Sequence, residues 1–368
     1  MKIKILSMLV ASCVAYSASA CTGISLSTTE HDYIQARTIE WGQNDLNSKL
    51  IISPRNHAYV STMPDQKKGL KWNSKYGFVG ISVSDDRFIA DGVNEEGLTA
   101  GLFYFKNYGS LEKYDPNDTK RTITDMDFNR WMLSQFKTVA EVEQAINKIK
   151  IVPVYIDAKG TPSPTAHWRV ADKQGNNIVI EIMNNGEVNV HKNTAKVLTN
   201  APDYQWQVTN LNNYIHLVPG ASQGQKINDV NAFSFGVGSS FLGLPGDITP
   251  PSRFVRAAFY VNSAPIMKTE KQAVSQAFHI LNNFDIPIGS EFSAKEHIPD
   301  LPSATQWTSV IDQTNGAFFY KTMRDSTIKK VDLTKIDFNE KEEVKRPLDS
   351  GRFHVIDVID VIDVTGGL

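Results

Sequence analysis

Cys21 stands immediately after a stretch with the marks of a secretory leader. Lys2 and Lys4 give a short positive start, Ile5 to Ser17 form an apolar run too short to span a bilayer, and Ala18-Ser19-Ala20 is a small-residue processing site. Cleavage after Ala20 would make Cys21 the first residue and carry away Cys13, the other of the chain's 2 cysteines. A lone thiol at a new terminus is a reactive group, a lipid attachment point or an accident.

A thiol titrates at about 8.5 and a free α-amine at about 7.7 to 8.0. With both on one residue, the amine can take the thiol proton and later return it to a leaving amine, so a single residue supplies nucleophile and base. Such a site needs cationic and hydrogen-bonding neighbours, each oxyanion donor being worth about 2.7 to 4 kcal/mol. A papain-like protease pairing Cys21 with His167 would need the cysteine at the start of a helix, behind an oxyanion-hole segment that a chain starting at Cys21 lacks. A lipoprotein anchored through Cys21 would open on a polar tether. Instead Thr22-Gly23-Ile24-Ser25-Leu26-Ser27 alternates as a half-buried strand does.

The elements that must position Cys21 are mostly strands. Tyr33 to Trp41 reads as the antiparallel partner of the first strand, and Phe78 to Val83 and Phe88 to Ala90 as a further pair. A turn at Asn94-Glu95-Glu96-Gly97 and a strand from Leu98 to Phe105 follow. Asp127 to Gln135 reads as a helix, and Thr138-Val139-Ala140-Glu141 is a capping box opening another. Period-two patterning returns over 165–171, 177–183 and 187–191, with Asn185-Gly186 as a hairpin turn. Ser252 to Val261 and Glu270 to Phe284 read as helices, and Ala317 to Met323 with Thr327 to Leu333 as a final hairpin. This order suits two stacked antiparallel sheets with helices outside, an α+β fold in one domain over 21–338, with 339–368 as a tail. The Val-Ile-Asp triplets at its end read as an edge strand or a disordered end.

The 368 residues are 41% hydrophobic and 21% charged, enough to bury a sizeable core. With 38 basic against 40 acidic residues there is no basic footprint for nucleic acid, and no later run is apolar and long enough to span a membrane. The 8 histidines lack metal-site spacing, and Gly236, Gly238 and Gly243 lack the lysine of a phosphate loop, so no cofactor or metal is expected. Asp247 in its Pro-Gly loop reads as structural, and Trp41 and Tyr104 as core aromatics.

Cys21-Thr22-Gly23, Ala36-Arg37-Thr38-Ile39-Glu40-Trp41, Asp91 to Leu98, Val197-Leu198-Thr199-Asn200-Ala201-Pro202, and Gly243 to Asp247 with Pro251-Ser252-Arg253-Phe254 together resemble the choloylglycine hydrolase family, which includes bile salt hydrolases and penicillin V acylases. The resemblance implies an N-terminal nucleophile hydrolase with an αββα four-layer sandwich, cleaving the linear amide of a small acylated amine. It casts Cys21 as nucleophile, Arg37 as the neighbouring cation that favours thiolate, Asn200 as a contact of the attacking centre and Arg253 as a supporting arginine. Glu40 stands where the family most often has the aspartate that orients the terminal amine, and is one methylene longer. Tyr104 stands where bile salt hydrolases usually have an oxyanion-hole asparagine and some penicillin V acylases a tyrosine. That tilts the expected substrate toward penicillin V or N-acyl homoserine lactones, with conjugated bile salts as the alternative. The leader implies a periplasmic or secreted enzyme after its removal, and by analogy with relatives, among which homotetramers are common, it could assemble as a homotetramer.

Overall fold

The computed structural model describes residues 19–349 apart from 159, 164 and 294, so most of the leader and the Val-Ile-Asp triplets lie outside the described residues. The chain opens with β1 (Ser19–Ser27) and β2 (Tyr33–Trp41), then β3 (Lys49–Ser53) and a hairpin of β4 (Ala58–Thr62) and β5 (Lys68–Asn73). A meander of β6 (Phe78–Val83), β7 (Asp85–Asn94) and β8 (Thr99–Tyr104) follows. Short β9 (Thr122–Thr124) leads into α1 (Asp125–Gln135) and α2 (Val139–Ile146), and β10 (Lys150–Val152) returns parallel to β9. Next come β11 (Ala166–Ala171), β12 (Asn177–Met183), β13 (Glu187–Lys192), β14 (Val197–Leu198) and α3 (Tyr204–Asn210). After the hairpin β15 (Gln225–Ile227) and β16 (Val230–Ala232), helices α4 (Pro250–Ser263) and α5 (Glu270–Leu281) precede β17 (Thr305–Asp312), β18 (Ala317–Thr322), β19 (Lys329–Asp332) and β20 (Val344–Pro347).

Two antiparallel sheets organise these pieces. One runs β14-β1-β2-β17-β18-β19, the other β13-β12-β11-β8-β7-β6-β3-β20. Helices α4 and α5 pack on the first sheet and α1 on the second, giving an αββα sandwich. β1 and β2 pair in continuous register from Ser19↔Trp41 to Ser27↔Tyr33. β2 is buried along all of its interior, yet Arg37, Thr38 and Glu40 lie within it. Polar groups in such a strand need partners: Thr38 Oγ1 accepts from the Thr22 N–H of β1, and Arg37 reaches the facing sheet.

Two arginines stitch the sheets together reciprocally. From β2, Arg37 Nη1 donates to the carbonyls of Ala90 (3.0 Å) and Leu102 (2.5 Å) in the second sheet. From β11, Arg169 Nη1 donates back to those of Ile24 (2.9 Å) and Ala36 (3.1 Å) in the first. The Phe103 ring lies between them, 4.3 Å from the Arg37 guanidinium carbon and 5.6 Å from that of Arg169. This crowding explains Gly23: a Cβ there would stand 2.6 Å from the Phe103 ring.

The turn after Met183 falls where the sequence put it, at Asn184, Asn185 and Gly186, all with positive φ. At α2 the Thr138 side chain accepts from the Glu141 N–H, but Glu141 Oε2 accepts from Lys137 N and not from Thr138, so the box closes one residue early. β17, which the sequence reading left without an element, is buried at all 8 positions and so shows no alternation. β20 pairs with β3 at the edge of the second sheet, in keeping with the edge-strand reading of the tail from residue 339.

Candidate active site

Cys21 sits inside β1, 2% exposed, because both faces of the first sheet are covered around it. Three segments distant in sequence converge on it. Its backbone N–H donates to Asn200 Oδ1 at 2.8 Å, and its carbonyl accepts from Arg253 Nη1 at 2.6 Å. The Tyr104 backbone N–H donates to its sulfur. Asn200 follows β14, the edge partner of β1, and its Nδ2 donates to the Tyr104 carbonyl at 2.9 Å. Arg253 Nη2 also donates to Asn200 Oδ1 (2.8 Å), and its Nη1 to Thr22 Oγ1 (2.8 Å). Asp247 has the structural role expected of it: it accepts from Thr249 N (2.9 Å) and Ser252 Oγ (2.6 Å) ahead of α4, while Arg253 Nε caps the Ile248 carbonyl at 2.8 Å.

Glu40 is fully buried, and neither carboxylate oxygen has a hydrogen bond of good geometry among the described residues. Its strand register places it opposite Ala20, beside the peptide bond that precedes Cys21. Burial pushes its carboxyl up to about 8, against the opposing pull of Arg253, the Thr38 hydroxyl and Arg37. Burial likewise raises the Cys21 thiol, and Arg37 and Arg253 only partly oppose it. The Arg37 charge acts in the expected direction, toward the thiolate, and desolvation in the closed sandwich is the larger effect.

Cys21, Glu40, Trp41, Leu102 and Tyr104 line a cavity of about 390 Å³ whose remaining wall is largely apolar. Trp41 and Tyr104 meet edge to face at 6.2 Å between ring centroids, so these two aromatics form cavity wall as well as core. All six residues singled out from the sequence therefore have a place. Cys21, Tyr104, Asn200 and Arg253 are joined by hydrogen bonds, Glu40 lines the cavity with Cys21 and Tyr104, and Arg37 acts across the sandwich through its charge.

His167 is not poised as a base for Cys21. One ring nitrogen meets Glu181 Oε1 and the other the Thr199 carbonyl, both at 2.9 Å, and Phe105 stacks on the ring at 4.2 Å. Glu181 Oε1 also accepts from Tyr204 N at 2.8 Å, so His167 and Glu181 together hold the segment on both sides of Asn200. Glu291, also absent from the sequence reading, turns two unpartnered buried oxygens toward Gly42 and the charge of Arg253, and burial pushes its carboxyl up to about 7. No motif marks Glu181 or Glu291; the only available signal for Glu181 was a charged residue in an otherwise apolar strand. Among the described residues no group of three or more His, Cys, Asp and Glu side chains could hold a metal ion, and no helix is long and apolar enough to cross a membrane.

A sandwich of two antiparallel sheets with a buried cysteine at this point of β1 defines an amidohydrolase of the N-terminal nucleophile type. The chain belongs to the choloylglycine hydrolase family of linear amide C–N hydrolases, whose model matches residues 21–346. It is 34% identical to a bile salt hydrolase/transferase of Clostridium perfringens, over 87% of this chain and 95% of that protein. It is 28% identical to a penicillin V acylase of Pectobacterium atrosepticum, over 90% and 86% respectively. A crystal structure of the Clostridium perfringens conjugated bile acid hydrolase superposes with a TM-score of 0.77 at 30% identity, covering 91% of this chain and 99% of that one.

Proposed function

We propose that Cys21, freed by cleavage after Ala20, hydrolyses the amide of conjugated bile salts. The observation that carries the mechanism is the convergence of the Tyr104 N–H on the sulfur and of Asn200 Oδ1 on the Cys21 nitrogen, beside an apolar cavity. The Cys21 amine takes the thiol proton and the sulfur attacks the acyl carbon. The Tyr104 N–H and the second hydrogen of Asn200 Nδ2 receive the oxyanion. The proton passes to the leaving amine as the C–N bond breaks, leaving a thioester. Water, deprotonated by the same amine, then releases the acid and regenerates the thiol. Asn200 Oδ1, itself held by Arg253, orients the amine, and Glu40 supplies the adjacent carboxyl.

Bile salts come first because relatives at 34% identity carry that activity in their names. Tyr104 and Trp41 in the cavity wall favour a second reading, aryl- or alkyl-acyl amides such as penicillin V or a long-chain acyl homoserine lactone. The lipid-anchor reading fits poorly, since a diacylglyceryl group on Cys21 would need room at a residue buried inside a paired strand. The leader assigns the enzyme to the periplasm or exterior, and an exposed apolar segment over residues 215–242 supports assembly with further copies of itself.

Parallel assays with glycocholate, penicillin V and a long-chain acyl homoserine lactone test the substrate. The expected order places glycocholate first, and penicillin V turning over fastest would move the assignment to the second reading. Cys21→Ala should reduce all three to background with the circular dichroism spectrum unchanged; surviving turnover would remove Cys21 as nucleophile.

A further inference from the structure

Asp125, the first residue of α1, lines the cavity beside Cys21 among Ile39, Trp41, Leu46, Val83 and Phe88. It is 7% exposed. Oδ1 accepts from the backbone N–H of Val154 (2.9 Å) and of Met126 (3.0 Å). Oδ2 has no hydrogen bond of good geometry to any other of the described residues, and the hydroxyls of Ser61 and Thr124 are committed to Asp127, at 2.8 and 3.0 Å. One oxygen is thus anchored in the wall while the other depends on whatever fills the cavity.

We infer that Asp125 is a specificity-determining residue of the amide hydrolysis proposed above, on which this inference rests, selecting acyl groups that carry a hydrogen-bonding oxygen over plain hydrocarbon chains. A saturated chain in the cavity displaces water from Oδ2 and leaves a polar atom unpaired. A hydroxyl or ether oxygen at the right place satisfies it. Rejection through an unpaired polar group discriminates more strongly than the loss of one methylene contact.

The protonation state sets which oxygens qualify. Burial pushes the Asp125 carboxyl up to about 7, the backbone N–H groups of Val154 and Met126 pull it down, and the charge of Asp127 adds to the rise. Below that pH the neutral acid donates to an ether or a hydroxyl; above it the carboxylate accepts from a hydroxyl only. Cys21, Glu40 and Tyr104 line the same cavity, and Asp127 and Arg130 lie on the same helix. Charge changes at Cys21 and Glu40 act on the chemical step that all substrates share and cancel in a ratio of two substrates, whereas Asp127 acts through the Asp125 proton itself.

The test is an oxygen walk: N-acyl glycines of equal chain length in which one ether oxygen replaces a methylene at successive positions, with one hydroxylated analogue. At pH 6 at least one ether position should exceed the all-methylene parent in kcat/KM by roughly tenfold or more. That ratio should fall above pH 7 while the hydroxylated analogue keeps its advantage. Asp125→Leu should bring all ratios to about one. Because it also strips the anchor from the Val154 N–H, Asp125→Asn serves as the folded control, keeping Oδ1 and an uncharged donor: its ether preference should persist and become independent of pH. Turnover of every member with ratios near one in the parent enzyme would overturn the inference and leave the amidase standing. No turnover of any member would overturn both.

Discussion

Glu40 and Arg37 show how one strand places ionisable groups where water cannot reach. The Glu40 carboxyl, raised to about 8 from its ordinary 4.5, holds its proton in the folded chain over a range where the unfolded chain has lost it. The folded state therefore binds more protons than the unfolded one between these values, and its stability falls as pH climbs from about 4.5 to about 8, with no further loss above. Glu40→Gln removes that part of the slope. Its thermal midpoint should exceed the parent's by several degrees at pH 8 and differ little at pH 4.5, while kcat falls by roughly two orders of magnitude. An unchanged midpoint difference across this range would mean that Glu40 is ionised in the folded protein. Arg37 is tested more cleanly with methionine than alanine, because its side chain also fills space between Phe103 and Trp307. Arg37→Met should move the alkaline-going rise of the acylation rate to higher pH, since the cation opposing thiol protonation is gone. A stationary profile would reduce Arg37 to a cross-sheet strut.

At the scale of elements, Asn200 is positioned by a pair of side chains remote from it in sequence. Burial alone would raise Glu181, but hydrogen bonds from His167, His191 and the Tyr204 N–H hold it down at about 2. A carboxyl depressed in this way contributes stability above its unfolded value near 4.5, and that contribution is lost as pH falls toward 2. Glu181→Gln should therefore unfold with a weaker dependence on pH across this window. It should also lower kcat more than it raises KM, because the segment from Thr199 to Tyr204 loses its brace while the cavity is unchanged. Equal effects on both constants would point to a general loosening instead.

The same pair marks where the sequence stopped being legible. Cys21, Arg37, Asn200 and Arg253 could be read because each sits in a short block with its own pattern. Glu181, His167 and Asp125 could not, since their partners come from other strands and only the folded sandwich brings them together. β17 escaped for a related reason: patterning reveals strands with one wet face, and this strand, wedged between β2 and β18, has none.

At the scale of the whole molecule, the apolar surface left exposed is concentrated. Ile215 is 80% exposed, Phe233 79%, Phe235 100%, Val237 95% and Leu242 81%, all within one segment that carries the β15–β16 hairpin. Scattered single hydrophobics on a surface need no explanation, but aromatic and aliphatic side chains this open within under thirty residues (215–242) are costly to leave in water. The core already has its own closed layers, so folding back onto the chain is not the remedy. A second copy offering the same surface would cover these side chains, as in the symmetric contacts of most soluble oligomers. Sedimentation velocity of the processed protein should show a species heavier than the monomer, and replacing Phe235 and Val237 together with aspartate should shift it to the monomer. Cys21 and its partners lie in the sandwich and not in this segment, so the dissociated variant should keep the parent's circular dichroism spectrum. A parent that sediments as a monomer at micromolar concentration would show that the segment is covered by something other than the enzyme itself.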